Sequence, residues 1–170
     1  MKTSLILILL VLATGTAAAS TDGSAGARAC AGSQLSGSFT AVRGSAGAGS
    51  ISYALTLRNR SAGACVLTGL PQGVLLGRRG GRLPTHVTAV FPGALAAVLV
   101  TLKLGQSARA TARFSPDVPG VGEGHVGACE PTAYSFRVTG QGGGSTTVKL
   151  VPPTSVCEHG SLRFTAYGPA

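Results

Sequence analysis

The run from Ser50 to Pro71 limits the possible folds more than any other stretch. Ile51, Tyr53, Leu55 and Leu57 alternate with Ser52, Ala54, Thr56 and Arg58. A period of two gives an extended chain one apolar face and one small or polar face, the pattern of a half-buried strand. A turn-rich link, Arg60 to Ala64, follows. Cys65 and Leu67 then share one face of a second strand, closed by Gly69 and Pro71. The pair reads as a hairpin with a cysteine fixing its second arm.

Strand patterns recur along the chain. Phe39 and Val42 mark a strand within Ser36 to Arg43, and Gly73 to Gly77 is a short apolar run between glycines. His86 to Val90 and Ala97 to Leu104 are two more candidates. In Ser107 to Phe114 the residues Ala108, Ala110, Ala112 and Phe114 oppose Arg109, Thr111 and Arg113. Tyr134, Phe136 and Val138 alternate in the same way, and Thr146 to Val151 and Leu162 to Ala166 complete the set. Turn residues separate these runs, and none of the runs has a helical period. The chain is expected to be all-β, an antiparallel β-sandwich of about eight or nine strands. Only 5% of residues are aromatic, so the core must be built mainly from Leu, Val and Ala.

Residues 1–19 read as a signal peptide. Lys2 supplies the positive start, Leu5 to Leu12 is almost unbroken apolar sequence, and Ala17-Ala18-Ala19 suits the peptidase. The apolar run is too short for a stable bilayer anchor, and no second long one follows. Cleavage near Ala19 leaves residues 20–29 as a flexible Gly, Ala and Ser lead-in and 30–170 as one domain. The expected location is secreted, extracellular or at the cell envelope, with no transmembrane segment in the mature chain. The full chain has a formal charge of +9. Loss of Lys2 lowers it to +8, which favours anionic partners such as a cell-wall polymer, or another envelope protein.

All four cysteines, Cys30, Cys65, Cys129 and Cys157, lie in the mature part. An even count in an exported chain reads as two disulfides. The local pairing, Cys30 with Cys65 and Cys129 with Cys157, closes two loops of about thirty residues, each worth roughly 3–4 kcal/mol. The nested pairing, Cys30 with Cys157 and Cys65 with Cys129, stays open.

Signals for catalysis are thin. Gly122 to Gly127 matches G-x-G-x-x-G, but a Pro-Gly loop precedes it and Pro131 follows, so the strand and helix of a dinucleotide site are missing. No G-x-S-x-G elbow occurs, and five carboxylates supply few general acids or bases. The chain is read as a non-enzyme without a cofactor. The densest group of reactive side chains is His125, Cys129, Glu130, Cys157, Glu158 and His159. A Cys129–Cys157 bond would bring its two halves together, and His125, His159 and Glu158 could then hold zinc or copper. Arg78, Arg79 and Arg82 form the densest basic tip. Arg109, Arg113, Arg137, Lys149 and Arg163 fall on outward strand positions, a basic face for wall polymers or phosphates. No aromatics interleave with these arginines, which argues against nucleic acid.

Asn59-x-Ser61-x3-Cys65-x-Leu67-x-Gly69-Leu70-Pro71 resembles the signature of an exported actinobacterial family catalogued as domain of unknown function 4232. Leu104 to Ala108 is similar to that family's turn before its middle strand, and Cys30, Cys129 and Cys157 sit where its other cysteines are expected. The resemblance spans Cys30 to Tyr167. It implies an immunoglobulin-like sandwich found on exported proteins or lipoproteins, and it carries no activity and no catalytic residues.

Overall fold

The computed structural model describes residues 28–93, 98–124 and 129–170. Among these, eleven strands form: β1 (Leu35–Ala41), β2 (Ile51–Asn59), β3 (Cys65–Leu67), β4 (Gly73–Leu76), β5 (His86–Ala89) and β6 (Val100–Leu102), then β7 (Ser107–Phe114), β8 (Ala133–Thr139), β9 (Ser145–Thr154), β10 (Ser161–Phe164) and β11 (Gly168–Pro169). The chain is all-β. The helical elements are a 3-10 turn at Gly32–Gln34 and a four-residue turn at Cys157–Gly160.

One large sheet runs β4-β8-β9-β1-β2-β7-β10-β5, with β11 beside β7, and β3 and β6 form a separate pair. The sheet curls on itself. Phe136 of β8 and Phe164 of β10 come from different limbs, yet their ring centroids are 5.9 Å apart. The first and last strands of the order also nearly meet, since the Leu75 N–H donates to Thr85 Oγ1 at 2.9 Å. The result is close to a barrel.

Alternation explains what fills it. Tyr53, Leu55 and Leu57 on β2 lie opposite Ala112, Ala110 and Ala108 on β7, and all six are buried. Large side chains on one strand thus meet small ones on the next, which lets both faces reach interior density. Phe39 stands at the centre, within 6 Å of the rings of Tyr53, Phe136 and Phe164.

The structure corrects three expectations. The sheet is mixed, not antiparallel throughout, because β1 runs parallel to β9 and β5 parallel to β10. Period two is common to both pairings, so alternation carries no information on direction. The β2–β3 hairpin does not form; β2 pairs with β1 and β7, while β3 pairs with β6. Asn59 redirects the chain there. Its buried Nδ2 donates to the carbonyls of Gly63 and Leu102, and its Oδ1 accepts from the Ser61 N–H and hydroxyl. Finally, the end of the lead-in is part of the fold. The Val66 N–H donates to the Arg28 carbonyl at 2.9 Å, and Ala29 bridges to Val66. Residues 1–19, read from sequence as a signal peptide, lie outside the described residues.

Candidate functional site

Two chemically distinct regions stand out, an acidic junction at one set of loops and basic surfaces on the outer strand faces. The junction forms where the loop after β7 meets the Cys157–Gly160 turn. The structure contains the local disulfides, Cys30–Cys65 and Cys129–Cys157, with Cα separations of 4.9 and 5.5 Å. The second ties this loop to the turn, and the Cys157 N–H also donates to the Ser115 carbonyl at 2.9 Å.

The turn has an unusual backbone. Glu158 and His159 both sit in the left-handed region, with φ of 56° and 55°, and Gly160 follows at 77°. Such a conformation costs a non-glycine residue about 1 kcal/mol or more, so its surroundings must impose it. At Gly160 a Cβ would also run into the Pro84 carbonyl. Successive left-handed residues point their N–H groups to one side, which makes an anion-binding concavity.

The anion that fills this concavity is Glu123. Its Oε2 accepts from the Gly120 N–H at 2.6 Å and the Glu158 N–H at 2.8 Å, and its Oε1 accepts from the His159 N–H. The side chain is only 2% exposed. Burial pushes the Glu123 carboxyl up, but the three N–H donors and nearby His159 outweigh it and hold it below the ordinary carboxylate range. Glu130 behaves oppositely. Burial, and then the negative charge of Glu123, push its carboxyl above the usual value. His159 caps the pair, its Nδ1 lying 3.6 Å from Glu123 Oε1 and 3.9 Å from Glu130 Oε1, while Nε2 lies 3.1 Å from the Val121 carbonyl.

The sign of each shift sets a prediction. A lowered folded pKa stabilises above the unfolded value, and that stability is lost as pH falls through the folded value. Glu123→Gln should therefore lower the melting temperature at pH 7 and flatten its decline below about pH 4. A raised pKa means the ionised form burdens the fold at neutral pH. Glu130→Gln should raise the melting temperature at pH 7 and leave it unchanged in acid. Thermal melts from pH 3 to pH 7 check both, and equal shifts in the two variants would contradict the assignment.

Of the metal set expected from sequence, His159 belongs to a cluster of potential ligands among the described residues. Glu158 turns away, with its Oε2 3.4 Å from Arg163 Nη2, and His125 lies outside the described residues. Glu123, Glu130 and His159 instead place one potential ligand atom each within 4.8 Å of one another. Glu123 was not singled out because a loop glutamate thirty-six residues from His159 has no local spacing signal. Both oxygens of Glu123 already accept N–H bonds, so the arrangement serves first as a clasp.

The basic tip is exposed. Arg78 and Arg79 lie in the Gly77–Gly81 turn, and Arg82 bridges back to Leu76. The Arg78 guanidinium sits 6.0 Å from the centre of the Tyr134 ring. Beside it, Arg137 and Lys149 project outward from β8 and β9. With Arg78 they line a groove of about 650 Å³ that includes Leu76, Tyr134 and Pro153. Arg82 and Arg137 line an adjoining one of about 450 Å³. Arg79 lines neither. The four acids among the described residues, Asp117, Glu123, Glu130 and Glu158, all lie outside the strands and outside both grooves. No helix among the described residues is long and apolar enough to cross a membrane.

No curated protein and no solved structure matches the chain. One family model, described as Domain of unknown function (DUF4232), matches residues 30–168. That span takes in both disulfides, the Asn59 switch, the acidic junction and both basic surfaces, and the chain therefore belongs to the DUF4232 family.

Proposed function

We propose that the chain is an exported, non-enzymatic binding module whose outer β4–β8–β9 face takes an anionic cell-wall polymer. The observation that carries this reading is the groove of about 650 Å³ edged by Arg78, Arg137 and Lys149, with no acid lining it among the described residues. An aromatic ring and apolar floor between cations suit a chain of sugars bearing negative charges, since the cations meet the charges and the ring meets the sugar faces. Export, by cleavage near Ala19, and an extracellular or envelope location agree with two disulfides, which persist in oxidising compartments. In this reading the curled sheet is an actinobacterial variant of the immunoglobulin-like arrangement.

Co-sedimentation with purified anionic wall polymer tests it. Binding should weaken with added salt, because exposed charges are screened beyond about 8 Å at physiological ionic strength. Replacing Arg78, Arg137 and Lys149 together by Ser should weaken it about tenfold or more. Salt-independent binding, or an unaffected triple variant, would overturn the reading. Retention on another envelope protein, and not on polymer, would redirect it to that partner.

A second reading places zinc or copper at the acidic junction, favoured by the grouping of Glu123, Glu130 and His159. Stoichiometric uptake by the exported protein, abolished by His159→Ala, would support it. A metal-free protein after exposure to excess zinc and copper would exclude it.

A further inference from the structure

The outer face of β2, β7, β10 and β5 carries cations that the polymer-binding face does not use. Strand register places Ser52 opposite Arg113, Arg113 opposite Arg163, and Arg163 level with Thr88. One row across four strands thus reads hydroxyl, guanidinium, guanidinium, hydroxyl. Directly opposed residues in an antiparallel pair have Cβ atoms about 5 Å apart, and like charges so placed repel. The cost falls if an anion lies between them.

The chain meets only half of that need. Glu158 Oε2 approaches Arg163 Nη2 at 3.4 Å. Arg113 has no carboxylate partner among the described residues. Its Nε and Nη2 donate to Ser50 Oγ at 3.1 and 2.9 Å, and Ser50 in turn donates to the Gly47 carbonyl at 3.2 Å. The Arg113 fork is therefore held in place with donors to spare. Arg113, Arg163, Ser50 and Glu158 all line one concavity of about 470 Å³.

We infer that this concavity binds a tetrahedral oxyanion of the phosphate or sulfate class between Arg113 and Arg163. A guanidinium fork takes two oxygens at once, and two guanidiniums lining one concavity call for more oxygens than a planar carboxylate has. Glu158 is the chain's own carboxylate at one fork and acts as a competitor that the ligand displaces. The site shares no residue with the Arg78–Arg137–Lys149 groove, so it stands or falls independently of the polymer reading.

Calorimetric titration of the exported protein with inorganic phosphate and with sulfate, at constant ionic strength in chloride, tests the inference. Saturable binding of one ion per chain is expected. Arg113→Gln and Arg163→Gln should each weaken it about tenfold. Glu158→Gln should tighten it, and Arg137→Gln should leave it unchanged. Melting temperatures without ligand confirm that each variant is folded. Glycerol phosphate binding as well as inorganic phosphate assigns the site to a phosphoryl end of a larger molecule; exclusion of the ester assigns it to the free ion. Non-saturable heats, or Arg137→Gln weakening binding as much as Arg113→Gln, would reduce the effect to diffuse charge and overturn the site. Unchanged affinity in Glu158→Gln would overturn the displacement.

Discussion

Phe39→Ala should destabilise the protein by about 3–5 kcal/mol, the range for truncating a large core aromatic. Phe39 is fully buried and is the ring through which the limbs of the curled sheet communicate. It lies 5.5 Å from Tyr53 on β2, 5.7 Å from Phe136 on β8 and 5.9 Å from Phe164 on β10. Truncation removes all three contacts and leaves a void that closes only if those strands shift. They are poorly placed to do so, because β1 is hydrogen-bonded to β2 along seven paired positions and to β9 on its other edge. Thermal unfolding should show a melting temperature lower by about 10–15 °C. Phe39→Leu, which keeps most of the volume, should cost much less. A loss under about 1 kcal/mol for Phe39→Ala would mean that the limbs do not share one core.

The second large effect is expected for Cys30→Ala with Cys65→Ala. The bond joins residues 35 apart in sequence. By chain entropy, freeing a loop of that length costs about 3–4 kcal/mol. Alanine is the suitable replacement because both cysteines are buried. The site predicts a local signature besides the global one. Cys30 sits in a strap whose backbone bonds alternate between two neighbours: its N–H donates to the Val66 carbonyl, and its carbonyl accepts from the Gly142 N–H. Without the bond, amide exchange at Cys30 and Val66 should quicken more than at Leu55 in the centre of β2. Denaturant unfolding gives the global cost. A cost near zero would show that the strap's hydrogen bonds hold β3 unaided.

Much of this was legible in the sequence. The strands β2, β7 and β8 could be placed almost to the residue, because long period-two runs have only one way to bury a face. The outward arginines followed from the same parity; Arg109, Arg113, Arg137 and Arg163 are all exposed. Partnership was less legible. Cys65 lies six residues beyond Asn59, close enough to suggest a hairpin, yet a single buried amide bonding the Leu102 carbonyl sends β3 to β6. Nothing local in Asn59 distinguishes that role from a turn residue.

The candidate sites divide in the same way. Sequence gathered Glu130, Glu158 and His159 around Cys129 and Cys157 but did not single out Glu123, whose carboxylate lies 3.6 Å from His159 Nδ1. Which glutamate faces the histidine depends on the left-handed turn at Glu158 and His159, a conformation that non-glycine residues rarely adopt and local preference therefore does not anticipate. Register likewise created the Arg113–Arg163 pair, since the two lie fifty residues apart and become neighbours only when β7 meets β10.

Composition, alternation and cysteine count were enough to determine an all-β chain with two disulfides and outward-facing arginines on its strands. These properties depend on how each residue divides between water and interior, which is local. Strand order, the two parallel pairings, the closing of the sheet around Phe39, and the meeting of Glu123 with the Cys157–Gly160 turn were decided only in three dimensions. Each is a competition among distant partners of equal local merit, settled by which set packs one core with the fewest buried polar groups left unpaired.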